Sequence, residues 1–117
     1  MIGIVVVSHS RRLADAAVAL AQAAVPGARP EVAVAAGLDG TTLGTDAGAI
    51  ADAIVAVDSP DGVLVFVDLG SAIMSAELAL EFVDADVAGR VRITPAPLVE
   101  GLVAALVTAA GGAGVQV

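Results

Sequence analysis

The chain has 117 residues, with 13 acidic side chains against 5 basic ones, all arginine, and no cysteine. Its formal net charge of −8 repels nucleic acid and anionic membrane surfaces, and the missing thiols exclude a disulfide framework or a thiolate metal site. Hydrophobic residues make up 58% of the chain and aromatics 2%, which predicts one domain over residues 1–117, with a core of small side chains and closely packed elements.

In chain order, Ile2–Val7 is a β-branched run and reads as the first strand. Ser10 is a suitable cap for a first helix over Leu13–Val25, with Leu13, Ala16, Ala17, Leu20 and Ala24 spaced for one apolar face and Pro26-Gly27 to end it. Val32–Ala36 is a short second strand, followed by a Gly- and Thr-rich loop, Gly37–Thr45. Thr45 or Asp46 caps a second helix that runs to about Val57, and Ser59–Gly62 is a turn. Val63–Val67 is the third strand, and Asp68–Ser71 turns into a third helix reaching about Val83. Asp84–Gly89 is a turn, Val91–Thr94 the fourth strand, and Leu98–Ala110 a fourth helix opened by Pro95–Pro97. Val115–Val117 is either a small added strand or a loose end.

This alternation predicts an α/β fold: a three-layer, open, mostly parallel sheet with strand order 2-1-3-4 and helices on both faces. In that order strands one and three are neighbours and the connections reverse between them, at the edge where such sheets bind ligands. His9, the lone histidine, follows strand one, and Asp68 follows strand three. Side by side, the carboxylate would accept the Nδ1 proton, fix the tautomer and leave Nε2 as a nucleophile. Ser8, Ser10 and the first amides of helix one would bind phosphoryl oxygens, and Gly70-Ser71 would add backbone donors.

Arg11 and Arg12 stand where a helix normally prefers acids, and a bound phosphate would account for them; for Arg11, a side chain pointing into solvent accounts for it equally well. Thr42, Thr45 and Asp46 lie on the same edge, within reach of the site or a partner. Glu100 is explained by its favourable place in a helix's first turn. The Gly37–Thr45 loop has no GxGxxG pattern and no Walker lysine, so it supports no nucleotide site. One histidine would need carboxylates for every other zinc ligand, so a zinc site is not expected. Apolar runs are interrupted before the roughly 18–20 residues of a membrane span, and no positive n-region opens the chain, so a cytoplasmic domain is expected. The third and fourth helices are apolar over more than one face, which predicts a homodimer using one or both.

Taken together, Ile4–Ser10 with Leu13-Ala14, Ala35–Asp39, Gly44–Asp46, Val67–Ala72, Ser75–Glu77 and Ala96–Gly101 resemble the phosphotransferase subunit of phosphoenolpyruvate-dependent dihydroxyacetone kinases. That subunit is similar in fold to the mannose-type enzyme IIA domains of the bacterial sugar phosphotransferase system. The resemblance implies that His9 accepts a phosphoryl group from the small histidine phosphocarrier protein and passes it to ADP on the nucleotide-binding subunit of the kinase, which phosphorylates dihydroxyacetone. It implies that Asp68 orients His9. It also implies a single-domain form served by separate carriers, with no cofactor of its own. Two alternatives remain: the enzyme IIA component of a mannose-type sugar transporter, and a non-catalytic module that binds a small anion. A receiver-type aspartyl switch is weaker, because no acidic pair follows strand one and lysine is absent.

Overall fold

The computed structural model describes residues 1–39 and 41–111. The element order is β1 (Gly3–Ser8), α1 (Arg11–Ala23), β2 (Val32–Ala36), α2 (Ala47–Val57), β3 (Val63–Val67), α3 (Gly70–Ala79), α4 (Ala85–Ala88), β4 (Val91–Thr94) and α5 (Leu98–Ala110). The four strands form one parallel sheet in the order β2-β1-β3-β4. Val115–Val117 lies outside the described residues.

Side chains alternate across the central strands and divide the core in two. Val5, Val7, Val63, Val65 and Val67 pack under α2 and α3, together with Ile50, Ile54, Ala72 and Ala76. Ile4, Val6 and Phe66 pack under α1 and α5, with Ala14, Ala17, Ala21, Leu102 and Leu106. The central strands β1 and β3 read as apolar runs because both faces are covered, whereas the edge strand β4 carries the exposed Arg92.

Close packing sets two glycines. A Cβ on Gly3 would stand 1.9 Å from the Val57 carbonyl oxygen, and one on Gly101 would stand 2.9 Å from the Phe66 ring. Gly3 lets the end of α2 approach the sheet at backbone distance, and Gly101 makes room for the Phe66 ring under α5.

Several boundaries and faces differ from expectation. Helix α1 begins two residues before Leu13 because the Ser10 hydroxyl accepts the Leu13 amide at 3.3 Å and sets the first turn at Arg11. Its inward face is Ala14, Ala17 and Ala21, while Leu13, Ala16, Leu20 and Ala24 are exposed. Alanine is apolar at nearly every angle of this helix, so size decides the face, and the smallest side chains allow the tightest seat on the sheet. Helix α3 ends at Ala79 rather than Val83, and a tightened turn carries the chain on, with the Phe82 amide donating to the Ala79 carbonyl. The expected turn at 84–89 contains the short helix α4.

The N-terminal edge of the sheet is fastened by charge. Arg90 grips Asp58 with Nε at 3.2 Å and one terminal nitrogen at 2.7 Å, which holds the Asp58 carboxyl below its ordinary value against a smaller opposing effect of burial. The terminal amine of Met1 lies 2.9 Å from Asp61. Among the described residues no helix is long and apolar enough to cross a membrane.

Candidate functional site

The parallel registers Ile4↔Leu64 through Val7↔Val67 bring the C-terminal ends of β1 and β3 together. His9 and Asp68 therefore leave the sheet as neighbours. His9 Nδ1 lies 3.0 Å from Asp68 Oδ1. The His9 amide donates to the other carboxylate oxygen, Oδ2, at 3.0 Å. Asp68 Oδ1 also accepts the Leu69 amide at 2.8 Å. Burial pushes the Asp68 carboxyl upward, but the His9 amide, the His9 ring and the Ser8 hydroxyl together outweigh it and hold the group below the usual carboxylate value. An ionised Asp68 only accepts, so Nδ1 carries the proton and Nε2 presents its lone pair.

Ser71 meets that lone pair. Its Oγ lies 2.9 Å from His9 Nε2 and is placed to donate to it. Gly70 and Ser71 occupy the first turn of α3, whose N-cap residue, Leu69, supplies no side-chain cap. First-turn amides have no intrahelical acceptor and favour an anion. The imidazole side chain is 25% exposed against 8% for Asp68, so the ring reaches the surface while its orienting carboxylate does not.

Ser8 and Ser10 both take structural partners at this edge. Ser8 is fully buried as the last residue of β1; its hydroxyl donates to Asp68 Oδ2 at 3.0 Å and accepts the Ser10 amide at 3.1 Å. It braces the carboxylate and has no face left for a phosphoryl oxygen. The Ser10 hydroxyl is engaged as the cap of α1.

Arg11 resolves toward structure: its guanidinium donates to the Val34 carbonyl at 3.2 Å and lies 3.5 Å from Asp15. Arg12 lines an open cleft of about 230 Å³ beside the site, with Ser10, Arg11, Thr41, Thr42 and Leu43.

The loop after β2 is organised from within. Asp39 Oδ1 accepts the amides of Thr41 and Thr42 at 2.8 and 2.7 Å, and these contacts hold its carboxyl at about 2. The Thr42 hydroxyl is committed to Asp39 Oδ2 at 2.9 Å. Asp46 caps α2 through the Gly48 amide at 2.9 Å. Thr45 instead reaches α3, with its hydroxyl 2.7 Å from Ser75 Oγ. Glu100 is exposed in the first turn of α5, away from these contacts. Sequence reasoning missed the roles of Asp39 and Ser75. The signal for Ser75 was its spacing one turn from Ser71, which puts both hydroxyls on one face of α3.

Comparison with known proteins supplies the family. Residues 3–116 match the family described as the PTS system fructose IIA component. The chain is 44% identical, over 99% of its length, to the PEP-dependent dihydroxyacetone kinase phosphoryl donor subunit DhaM of Escherichia coli, and spans 25% of that relative. It is 38% identical to the corresponding subunit of a second such kinase in Listeria innocua, over 92% of this chain and 85% of the relative. The crystal structure of EF1359, a protein of unknown function, superposes with a TM-score of 0.80 at 30% identity, covering 99% of this chain and 89% of that one. The chain thus spans a quarter of its enteric relative and most of its Listeria relative, and it belongs to the PTS fructose IIA component family.

Proposed function

We propose that this chain is a phosphohistidine carrier of a dihydroxyacetone kinase system, forming a single unit over residues 1–117. His9 Nε2 attacks the phosphoryl group of a histidine phosphocarrier protein; the new N–P bond forms as the carrier's N–P bond breaks. The group then passes to the β-phosphate of ADP held on the nucleotide-binding subunit of the kinase: an O–P bond forms, Nε2–P breaks, and the ATP produced phosphorylates dihydroxyacetone.

The observation that carries this reading is the hydrogen bond from His9 Nδ1 to an ionised, well-braced Asp68, which leaves Nε2 free of a proton at a surface edge. The ring nitrogen facing Asp68 keeps its proton through both transfers, and the carboxylate stabilises the positive charge that develops on the ring. Ser71 releases Nε2 as the phosphoryl group arrives and then donates to one of its oxygens, joined by the first-turn amides of α3. Phosphoryl transfer needs little beyond a positioned nucleophile and such charge stabilisation, so the residues at this edge suffice without a metal or cofactor on this chain. The names of the E. coli and Listeria relatives support the choice of kinase over sugar transporter.

The reading extends to a homodimer. Helices α3 and α5 cover opposite faces of the sheet, and α3 carries the bulkier exposed apolar side chains, Met74 and Leu78, followed by Phe82. A second copy is placed there.

The test is phosphorylation of the purified chain by phosphoenolpyruvate, enzyme I and the phosphocarrier, read by intact mass beside His9→Ala. One acid-labile, alkali-stable phosphate absent from His9→Ala is expected. Its loss on adding the ADP-loaded kinase subunit, but not a transporter IIB domain, identifies the acceptor. Retention of a small anion without covalent phosphate would instead favour a binding module.

A further inference from the structure

The segment 44–45 links the His9 main chain to helix α3. The Gly44 amide donates to the His9 carbonyl at 2.9 Å, which fixes the main chain that carries the ring. The next residue, Thr45, places its hydroxyl 2.7 Å from Ser75 Oγ on α3. One turn back along α3, Ser71 stands 2.9 Å from His9 Nε2. These contacts close a ring: His9 main chain, Gly44, Thr45, Ser75, Ser71, His9 side chain.

Helix α3 has a further polar tie at this end, the Leu69 amide on Asp68 Oδ1 at 2.8 Å. That bond fixes where the helix starts. Leu69 adds no side-chain cap, and the buried Ala72, Ala76 and Ala79 seat the rest of the helix on the core. That apolar packing is non-directional and gives Ser71 no reference to the imidazole; the Thr45–Ser75 bond, one turn further on, supplies one. Gly44 lets the loop make both contacts: its φ is +144°, and a Cβ there would stand 2.9 Å from the Leu38 side chain.

We infer that the Thr45–Ser75 hydrogen bond is a latch that positions Ser71 over His9 Nε2, and so sets how readily the ring takes up and releases its phosphoryl group. Thr45 and Ser75 are positioning residues; neither touches the reacting atoms. The inference rests on the proposed phosphoryl role of His9.

Three variants separate the latch from general stability: Thr45→Val, which keeps shape and loses the hydroxyl; Thr45→Ser, which keeps the hydroxyl; and Ser75→Ala. Each is made in the wild-type and the Ser71→Ala background. Losing one hydrogen bond that orders the site corresponds to about a five-fold slower phosphorylation. Thr45→Val and Ser75→Ala should each show that loss, Thr45→Ser should restore the rate, and the double variant should be no slower than either single one. In the Ser71→Ala background, Thr45→Val should change the rate no further, although melting temperature falls in both backgrounds alike.

An equal slowing with and without Ser71 would overturn the latch, as would an unchanged rate in Thr45→Val. The 15N shift of His9 Nε2, measured without phosphate, should move in the same direction in Thr45→Val and Ser71→Ala; a wild-type shift in Thr45→Val would also overturn it. A wild-type chain that accepts no phosphate removes the phosphohistidine reading instead, and the 15N shifts still decide the latch.

Discussion

Asp68 holds His9 by two handles: one carboxylate oxygen takes the backbone amide and the other takes ring Nδ1, each at 3.0 Å. Main chain and imidazole are thereby referred to the same rigid group, and the ring cannot swing without breaking a bond to a buried anion. Ser8 anchors that anion from below at 3.0 Å.

Asp68→Asn tests the handle on the ring. An amide that turns its NH2 toward Nδ1 moves the ring proton to Nε2, the wrong tautomer for attack. Phosphorylation should slow by about 100-fold or more, in the range lost when a general acid–base partner is removed. Rapid-quench phosphorylation followed by intact mass measures it, and circular dichroism should show the fold retained. A rate within a factor of three of wild type would remove Asp68 from the mechanism.

The Asp68 carboxyl lies below its ordinary value of 3.8, which fixes a pH dependence of stability. A depressed carboxyl contributes stability above its unfolded value and loses it as pH falls through the folded one. The difference in denaturation midpoint between wild type and Asp68→Asn should therefore shrink as pH falls below about 4. A difference that grows below that pH would reverse the sign assigned to Asp68.

Ser8→Ala removes a buried hydroxyl that serves two partners and leaves the Ser10 amide without its acceptor. The cost should be about 1–3 kcal/mol, read as a lower midpoint in urea. Phosphorylation should slow as well, because Asp68 loses its brace. A variant as stable and as active as wild type would show that water replaces the hydroxyl.

Gly3→Ala places a methyl 1.9 Å from the Val57 carbonyl oxygen, so α2 must lift from the sheet. Destabilisation of roughly 3 kcal/mol, or failure to fold, is expected. Gly27→Ala is the control: its φ of +88° carries strain, but the space around it is open, so it should cost only about 1 kcal/mol.

The proposed self-association is read by light scattering. Wild type should run as a dimer, and Met74→Glu with Leu78→Glu as a monomer, since both side chains are exposed on α3. A wild-type monomer at high concentration would leave that apolar face to another partner.

The architecture was legible because the central strands of a covered parallel sheet announce themselves as apolar runs, as in β1 and β3; β2, β3, β4 and α5 have the expected bounds. The meeting of His9 and Asp68 followed from strand order alone. The inward face of α1 was not legible, since a helix of alanines has little periodicity and its leucines turn outward. For Ser8, sequence shows that a hydroxyl is near a site but not that its proton is already given to a carboxylate. Arg11 likewise has its partners in Val34 and Asp15, on another strand and one turn along its own helix.

The Leu38 amide closes on the Thr42 carbonyl at 2.9 Å, and Gly37 and Gly44 tie the flanks of that closure to Ser8 and His9. Whatever is carried between Leu38 and Thr42 is mechanically insulated from the imidazole by this neck. Length changes inside that neck should therefore leave the rate at which His9 takes up phosphate unaltered.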